Sequence, residues 1–115
     1  ELGAGLGLAG VAASLAGAQK VTLVDREPLA LHCAMATAAM NGIPTAAMGS
    51  SLEGATEYGT VRAALYDWST SEPLQMDSNP NVVIASDVLY DDTSVKALAR
   101  LAAELLRERS AEFIL

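Results

Sequence analysis

Short apolar runs punctuate this chain, and stretches with helical spacing lie between them. Residues 1–3 read as the tail of a first strand, and residues 21–24 as a second, closed by Asp25. Residues 61–66 make a third strand, and the run at 82–85 is the clearest of all. Continuous apolar runs, rather than alternation, mark strands of a parallel sheet buried on both faces. Small and apolar residues dominate 6–16 and end at Gly17, a helix-terminating glycine. A second helix begins at Pro28, tolerated at the first helical position, and runs to about Met40. Leu29, Cys33, Ala36 and Met40 fall on one of its faces, and Asn41, Gly42 and Pro44 break it. Asp91 or Asp92 can cap a last helix, whose apolar stripe is Val95, Leu98, Leu101, Ala102 and Leu105. Arg107 and Arg109 sit in its last turn, where cations suit the helix dipole. Residues 50–60 and 69–81 read as loops, and residues 112–115 as the start of a further strand. Strands alternating with helices predict an α/β fold, a mostly parallel sheet covered on both faces in three α/β/α layers.

Composition narrows the picture. At 115 residues the chain is one domain's worth, and 51% hydrophobic residues support a substantial core. No apolar run reaches the roughly 18 residues of a membrane span. The opening at Glu1 and the abrupt end at Leu115 lead us to expect one partial domain over residues 1–115, truncated at both ends. Cys33 is the only cysteine, which fits a reducing, cytoplasmic compartment, with a nuclear one also compatible. The net charge of −7 and pI of 4.4 argue against nucleic-acid binding, which calls for basic patches. The same charge would steer in a basic partner, or would only keep the protein soluble. His32 stands alone, and no metal site is expected.

Candidate chemistry starts at the first strand's end. Glu1, Gly3, Ala4, Gly5, Gly7 and Gly10 sit between a strand and a helix. Glycines there allow close backbone approach, and the helix N-terminus behind them presents N–H groups and partial positive charge. Asp25, closing the neighbouring strand, can accept hydrogen bonds from a ribose diol. Two ligand classes use this arrangement. Gly5-x-Gly7-x-x-Gly10 with Asp25 twenty residues on is a literal dinucleotide fingerprint. Read from Glu1, E-x-G-x-G-x-G is the first motif of class I methyltransferases. The glycines alone leave both open, along with a third reading, a tight turn packing a helix.

A second constellation lies further on. Tyr66-Asp67-Trp68 follows the third strand, and Ala85-Ser86-Asp87-Val88-Leu89-Tyr90-Asp91 the fourth, both at carboxyl ends where open α/β sheets bind ligands. Singly, Trp68 could be a packed core aromatic and Asp87 a turn cap. Asn79-Pro80-Asn81 is similar to an Asn-Pro-Pro-aromatic motif of amino-methylating nucleic-acid enzymes, but it precedes the strand and no aromatic follows. The ordered set ELGAGLGLAG, VTLVD, YDW and IASDVLYD resembles the seven-strand methyltransferases that include the non-SET protein-lysine methyltransferases.

That resemblance implies a Rossmann-like doubly wound sheet, S-adenosyl-L-methionine as cofactor and a protein lysine in a basic segment as acceptor. Glu1 would orient the amino-acid end of the cofactor, Gly3, Ala4 and Gly5 would line its methionine part, and Gly7 would belong to the same cofactor-binding loop. Asp25 would hold the ribose hydroxyls, Trp68 would flank the adenine, and Ser86 would contact it through backbone. Asp87 and Tyr90 would border the methyl-transfer site as orienting groups. The family's upstream cofactor-contacting Trp and its last two strands have no counterpart here. A nicotinamide-dependent oxidoreductase and a degenerate, non-catalytic interaction module are the alternatives.

Overall fold

The computed structural model describes residues 1–47, 59–70, 72–76, 80–107 and 111–115. The elements run α1 (Leu8–Leu15), β1 (Lys20–Asp25), α2 (Pro28–Met40), β2 (Thr45–Ala47), β3 (Thr60–Leu65), β4 (Val82–Ile84), α3 (Asp92–Arg107) and β5 (Glu112–Ile114). Among the described residues all strand pairings are parallel, in two sheets ordered β1-β3-β2 and β4-β5. Leu2 joins them, bridging to Val24 on one side and Ala85 on the other. Its N–H donates to the Ile84 carbonyl at 2.8 Å, and the Val24 N–H donates to the Glu1 carbonyl at 2.8 Å. The expected first strand is thus a single bridging residue among those described, and the α/β class holds.

Two apolar cores lie on opposite faces of this sheet. Val21 and Leu23 of β1 and Val61 of β3 pack with α1 and α2 through Val11, Leu31, Ala34 and Ala38. Val24 and Ala64, pointing the other way, join Leu2, Val83, Ala85, Val88, Leu98 and Leu101 under α3. Register makes this work, because Val21 faces Val61 and Val24 faces Ala64 across the ladder.

The structure departs from the sequence reading in several places. The buried face of α2 is Leu31, Ala34 and Ala38, while Leu29 and Met40 are 73% and 88% exposed. Close approach of α1 and the sheet selects small residues here. A Cβ on Gly7 would come within 2.9 Å of Ala34 Cβ and of Leu23 Cδ1, so a larger side chain at 34 has no room. Strand β2 has no signal in the sequence, since three residues after a breaker cluster carry no period; pairing with Val61, Arg62 and Ala63 makes them a strand. α1 begins at Leu8, two residues later than read, because Gly7 takes the left-handed cap position at φ 74°. Gly17, at φ 107°, lies two residues beyond its end, as expected. In α3, Leu98 and Leu101 are buried and Val95 is exposed. Arg107 ends α3, and Arg109, Asn79 and residues 50–58 of the expected loop lie outside the described residues. No helix among the described residues is long and apolar enough to cross a membrane.

Asp91 is the residue that starts α3. Its Oδ1 accepts from the backbone N–H groups of Thr93 and Ser94 at 2.8 and 2.9 Å, and its Oδ2 from the Ser94 hydroxyl at 2.7 Å. The Ser94 bonds hold its carboxyl below the usual value. A depressed carboxylate pKa means stability present above the unfolded value, about 3.9, and lost as pH falls through the folded value. Asp91→Ala should therefore lower the melting temperature at pH 7, with a deficit that shrinks below about pH 4. Asp91→Asn should keep most of the cap without that pH dependence. Thermal denaturation of the three proteins from pH 3 to 7 checks both.

Candidate functional site

The glycine loop turns sharply between Leu2 and α1, with Gly3 at φ 64° and Gly5 at φ 53°, a backbone region that side chains disfavour. The two glycines differ in surroundings. A Cβ on Gly3 would come within 2.6 Å of Val88 Cγ1 and 3.0 Å of Trp68 Cη2. A Cβ on Gly5 would meet nothing within 4 Å. Gly5 therefore presents open backbone, while Gly3 is the seat on which Trp68 and Val88 rest.

Asp25 clamps the loop from β1. Its Oδ2 accepts the Gly5 N–H at 2.8 Å and its Oδ1 the Glu27 N–H at 2.9 Å. An ionised carboxylate has about four acceptor sites, so capacity remains for two further donors such as vicinal hydroxyls. Glu1 serves α1: its Oε2 accepts the Gly10 N–H at 2.8 Å, replacing the side-chain cap that Gly7 cannot supply.

The carboxyl ends of β3 and β4 complete the arrangement. Trp68 is half-buried, its indole packed on the α3-side core. Ser86, Asp87, Leu89 and Tyr90 are exposed in the turn after β4, with Tyr90 at 74%, and Val88, at 2%, pins that turn to the core. Asp87, at φ 54°, is the only described non-glycine residue with positive φ. Such backbone costs on the order of 1–3 kcal/mol and persists where surrounding structure over-determines it. Gly3, Gly5, Asp25, Trp68, Ser86, Asp87 and Tyr90 thus gather at the strands' carboxyl ends. Glu1 is the outlier, engaged beneath α1.

A cavity of about 520 Å³ lies past the carboxyl ends of β1 and β3, lined by Arg26, Glu27, Leu65, Tyr66, Asp67 and Thr70 among others, and no predicted site residue lines it. Tyr66 and Asp67 belong to the Tyr66-Asp67-Trp68 motif, and Arg26, Glu27 and Thr70 stand within two residues of Asp25 or Trp68 in sequence. Hydrogen bonds from Ser69 hold the Asp67 carboxyl below its usual value. A second cavity, about 560 Å³, lies between β1 and β4 at their amino-terminal ends, lined by Glu1, Lys20, Thr22, Val82 and Leu105 among others. Of the predicted site residues it touches only Glu1. Among the described residues no three His, Cys, Asp or Glu side chains gather in a way that could hold a metal ion. His32 is exposed and Cys33 half-buried on α2, away from the loop chemistry.

Gly5 thus leaves open space beside its backbone, and Asp25 keeps acceptor capacity that a diol can use. A family model described as lysine methyltransferase matches residues 1–115. No curated protein and no solved structure gives a match.

The contrast between the two glycines is testable. Gly5→Ala should cost about 1–2 kcal/mol of stability from backbone strain alone. Gly3→Ala should cost roughly 1–3 kcal/mol more, because its Cβ also overpacks Val88 and Trp68. Chemical denaturation of both variants checks the order; equal losses would show that Trp68 and Val88 yield freely.

Proposed function

The chain belongs to the lysine methyltransferase family, and from that membership we propose that it uses S-adenosyl-L-methionine to methylate a lysine side chain of a protein. The observation that carries the reading is the glycine loop clamped to Asp25 at the same strand ends as the exposed Asp87–Tyr90 turn. One feature binds a ribose-bearing cofactor and the other faces an incoming acceptor.

In this reading Gly3, Ala4, Gly5 and Gly7 form the backbone cradle, Asp25 accepts from the ribose hydroxyls, and Trp68 and Ser86 border the adenine. Asp67 and Thr70 in the neighbouring cavity add polar groups on that side. Glu1 acts through α1, by fixing the helix N-terminus behind the loop. When bound, the cofactor supplies a methyl group on a positively charged sulfur, open to in-line attack.

The chain's own task is positioning. A lysine has a reference pKa near 10.4, so losing its proton at pH 7.4 costs about 4 kcal/mol. Removing the amine from water reduces that cost, whereas a carboxylate beside it favours the charged form. Asp87 therefore orients the amine rather than acting as a strong base, and Tyr90 shares that duty. Asp87, Asp91 and Asp92 are exposed around Tyr90, and with the net charge of −7 they favour an acceptor lysine in a basic segment. The free Cys33 is compatible with a reducing, cytoplasmic or nuclear setting.

Calorimetry with S-adenosyl-L-methionine, its demethylated product and NAD tests the cofactor. The first two should bind and NAD should not; tight NAD binding with silence from the others would sink the proposal. The two aromatic residues should separate in their effects. Trp68→Ala should weaken cofactor binding five- to a hundredfold, on the order of one lost base stack. Tyr90→Phe should leave cofactor affinity nearly unchanged and lower turnover on a lysine acceptor. Cofactor dissociation constants and methylation rates for both variants decide it, and the reversed pattern would overturn the site assignment.

A further inference from the structure

Residues 66–70 and 72 are tied to one another after β3. The Tyr66 hydroxyl donates to the Glu72 carbonyl at 2.7 Å, and the Ser69 N–H donates to Asp67 Oδ1 at 2.8 Å. The Thr70 N–H and hydroxyl both donate to the Asp67 carbonyl, at 3.1 and 2.9 Å. These bonds are internal, so they shape the segment without deciding where it lies on the protein.

Two contacts place it. The Trp68 indole rests over Gly3 beside Val88, joining the segment to the glycine loop and to the turn after β4. From the middle of α3, Arg100 Nη2 donates to the carbonyls of Trp68 and Thr70 at 3.1 and 2.5 Å. These bonds span 32 and 30 residues of chain. Tyr66 lies in the same patch: burial and then Glu104, one turn beyond Arg100, raise its pKa, and Arg100 lowers it. The helix that begins beside Tyr90 thus grips the backbone of the residue that borders the adenine.

We infer that Arg100 is a positioning residue for the cofactor site, seating Trp68 on Gly3 by holding the carbonyls on either side of Ser69; this rests on the reading of Trp68 as the adenine's neighbour. Both bonds come from the single nitrogen Nη2, whose two N–H groups the planar guanidinium holds in fixed directions. Lysine is a point charge on a flexible stem and reproduces that hold only in part.

Trp68 is the chain's only tryptophan, so its fluorescence reports on this seat directly. Arg100→Ala should shift Trp68 emission to the red, increase quenching by acrylamide and weaken S-adenosyl-L-methionine binding on the order of tenfold. The rate at saturating cofactor should hold within about twofold, so that the loss appears in KM rather than kcat. Arg100→Lys should recover part of each change. Lys96→Ala, which removes a cation one turn earlier on α3, should match wild type. Circular dichroism establishes that every variant keeps the fold; should Arg100→Ala lose it, Arg100→Lys against Lys96→Ala carries the comparison. Unchanged Trp68 emission and quenching in the Arg100 variants would overturn the inference, as would equal effects from Lys96→Ala. If wild type fails to respond to S-adenosyl-L-methionine, the cofactor reading falls by itself, and quenching alone decides whether Arg100 seats Trp68.

Discussion

One carboxylate fastens the glycine loop to the sheet. Asp25 closes β1 and accepts a backbone N–H from Gly5 on one oxygen and from Glu27 on the other. The loop cannot pair as a strand while its glycines hold positive φ, so its polar backbone needs partners from outside. An ionised acceptor is a strong one, because charge-assisted hydrogen bonds exceed neutral ones. The Ala4 N–H, donating to the Val24 carbonyl at 2.9 Å, shares in holding the loop, and in the proposed reading the same carboxylate meets the ribose hydroxyls.

The sheet explains why that side chain stands where it does. Leu2 bridges to Val24 and to Ala85, so the glycine loop leaves the sheet between β1 and β4. From there the chain fills one side with β1, β3 and β2 and then crosses to β4 and β5. Open α/β sheets bind ligands at such a reversal. Asp25 ends the strand on one side of it, and Ser86, Asp87 and Tyr90 follow the strand on the other. Helices cover opposite faces, and the strands are apolar on both sides because each face meets a separate core.

Much of this was legible in the residues. β1, β3, β4 and α3 announce themselves by their apolar runs and period, and the cap of α3 as Asp91 or Asp92, between which the fold chose Asp91. The failures share a cause. α2 carries apolar residues on more than one side, so its own pattern cannot say which face is buried. The choice of Leu31, Ala34 and Ala38 follows from how closely α1 and the sheet approach it. β2 is three residues long and exists through its partner β3. Glu1 showed the same ambiguity: an acid before the glycines fits a ligand contact, yet its carboxylate reaches nine residues ahead to Gly10.

By itself, then, the sequence determined the α/β class, the main strands and helices, the glycine loop with its acidic partner and the family. Local periods, turn chemistry and a specific ordered set of motifs carry that information within short windows of chain. Tertiary structure alone decided that Gly3 is a packing seat and Gly5 an open one, although both glycines share the same backbone sign. It also decided that Arg100 belongs with Trp68, thirty-two residues away. Those outcomes depend on which surfaces come within a few ångströms of each other. Contacts between residues so distant in sequence leave no period along the chain to read.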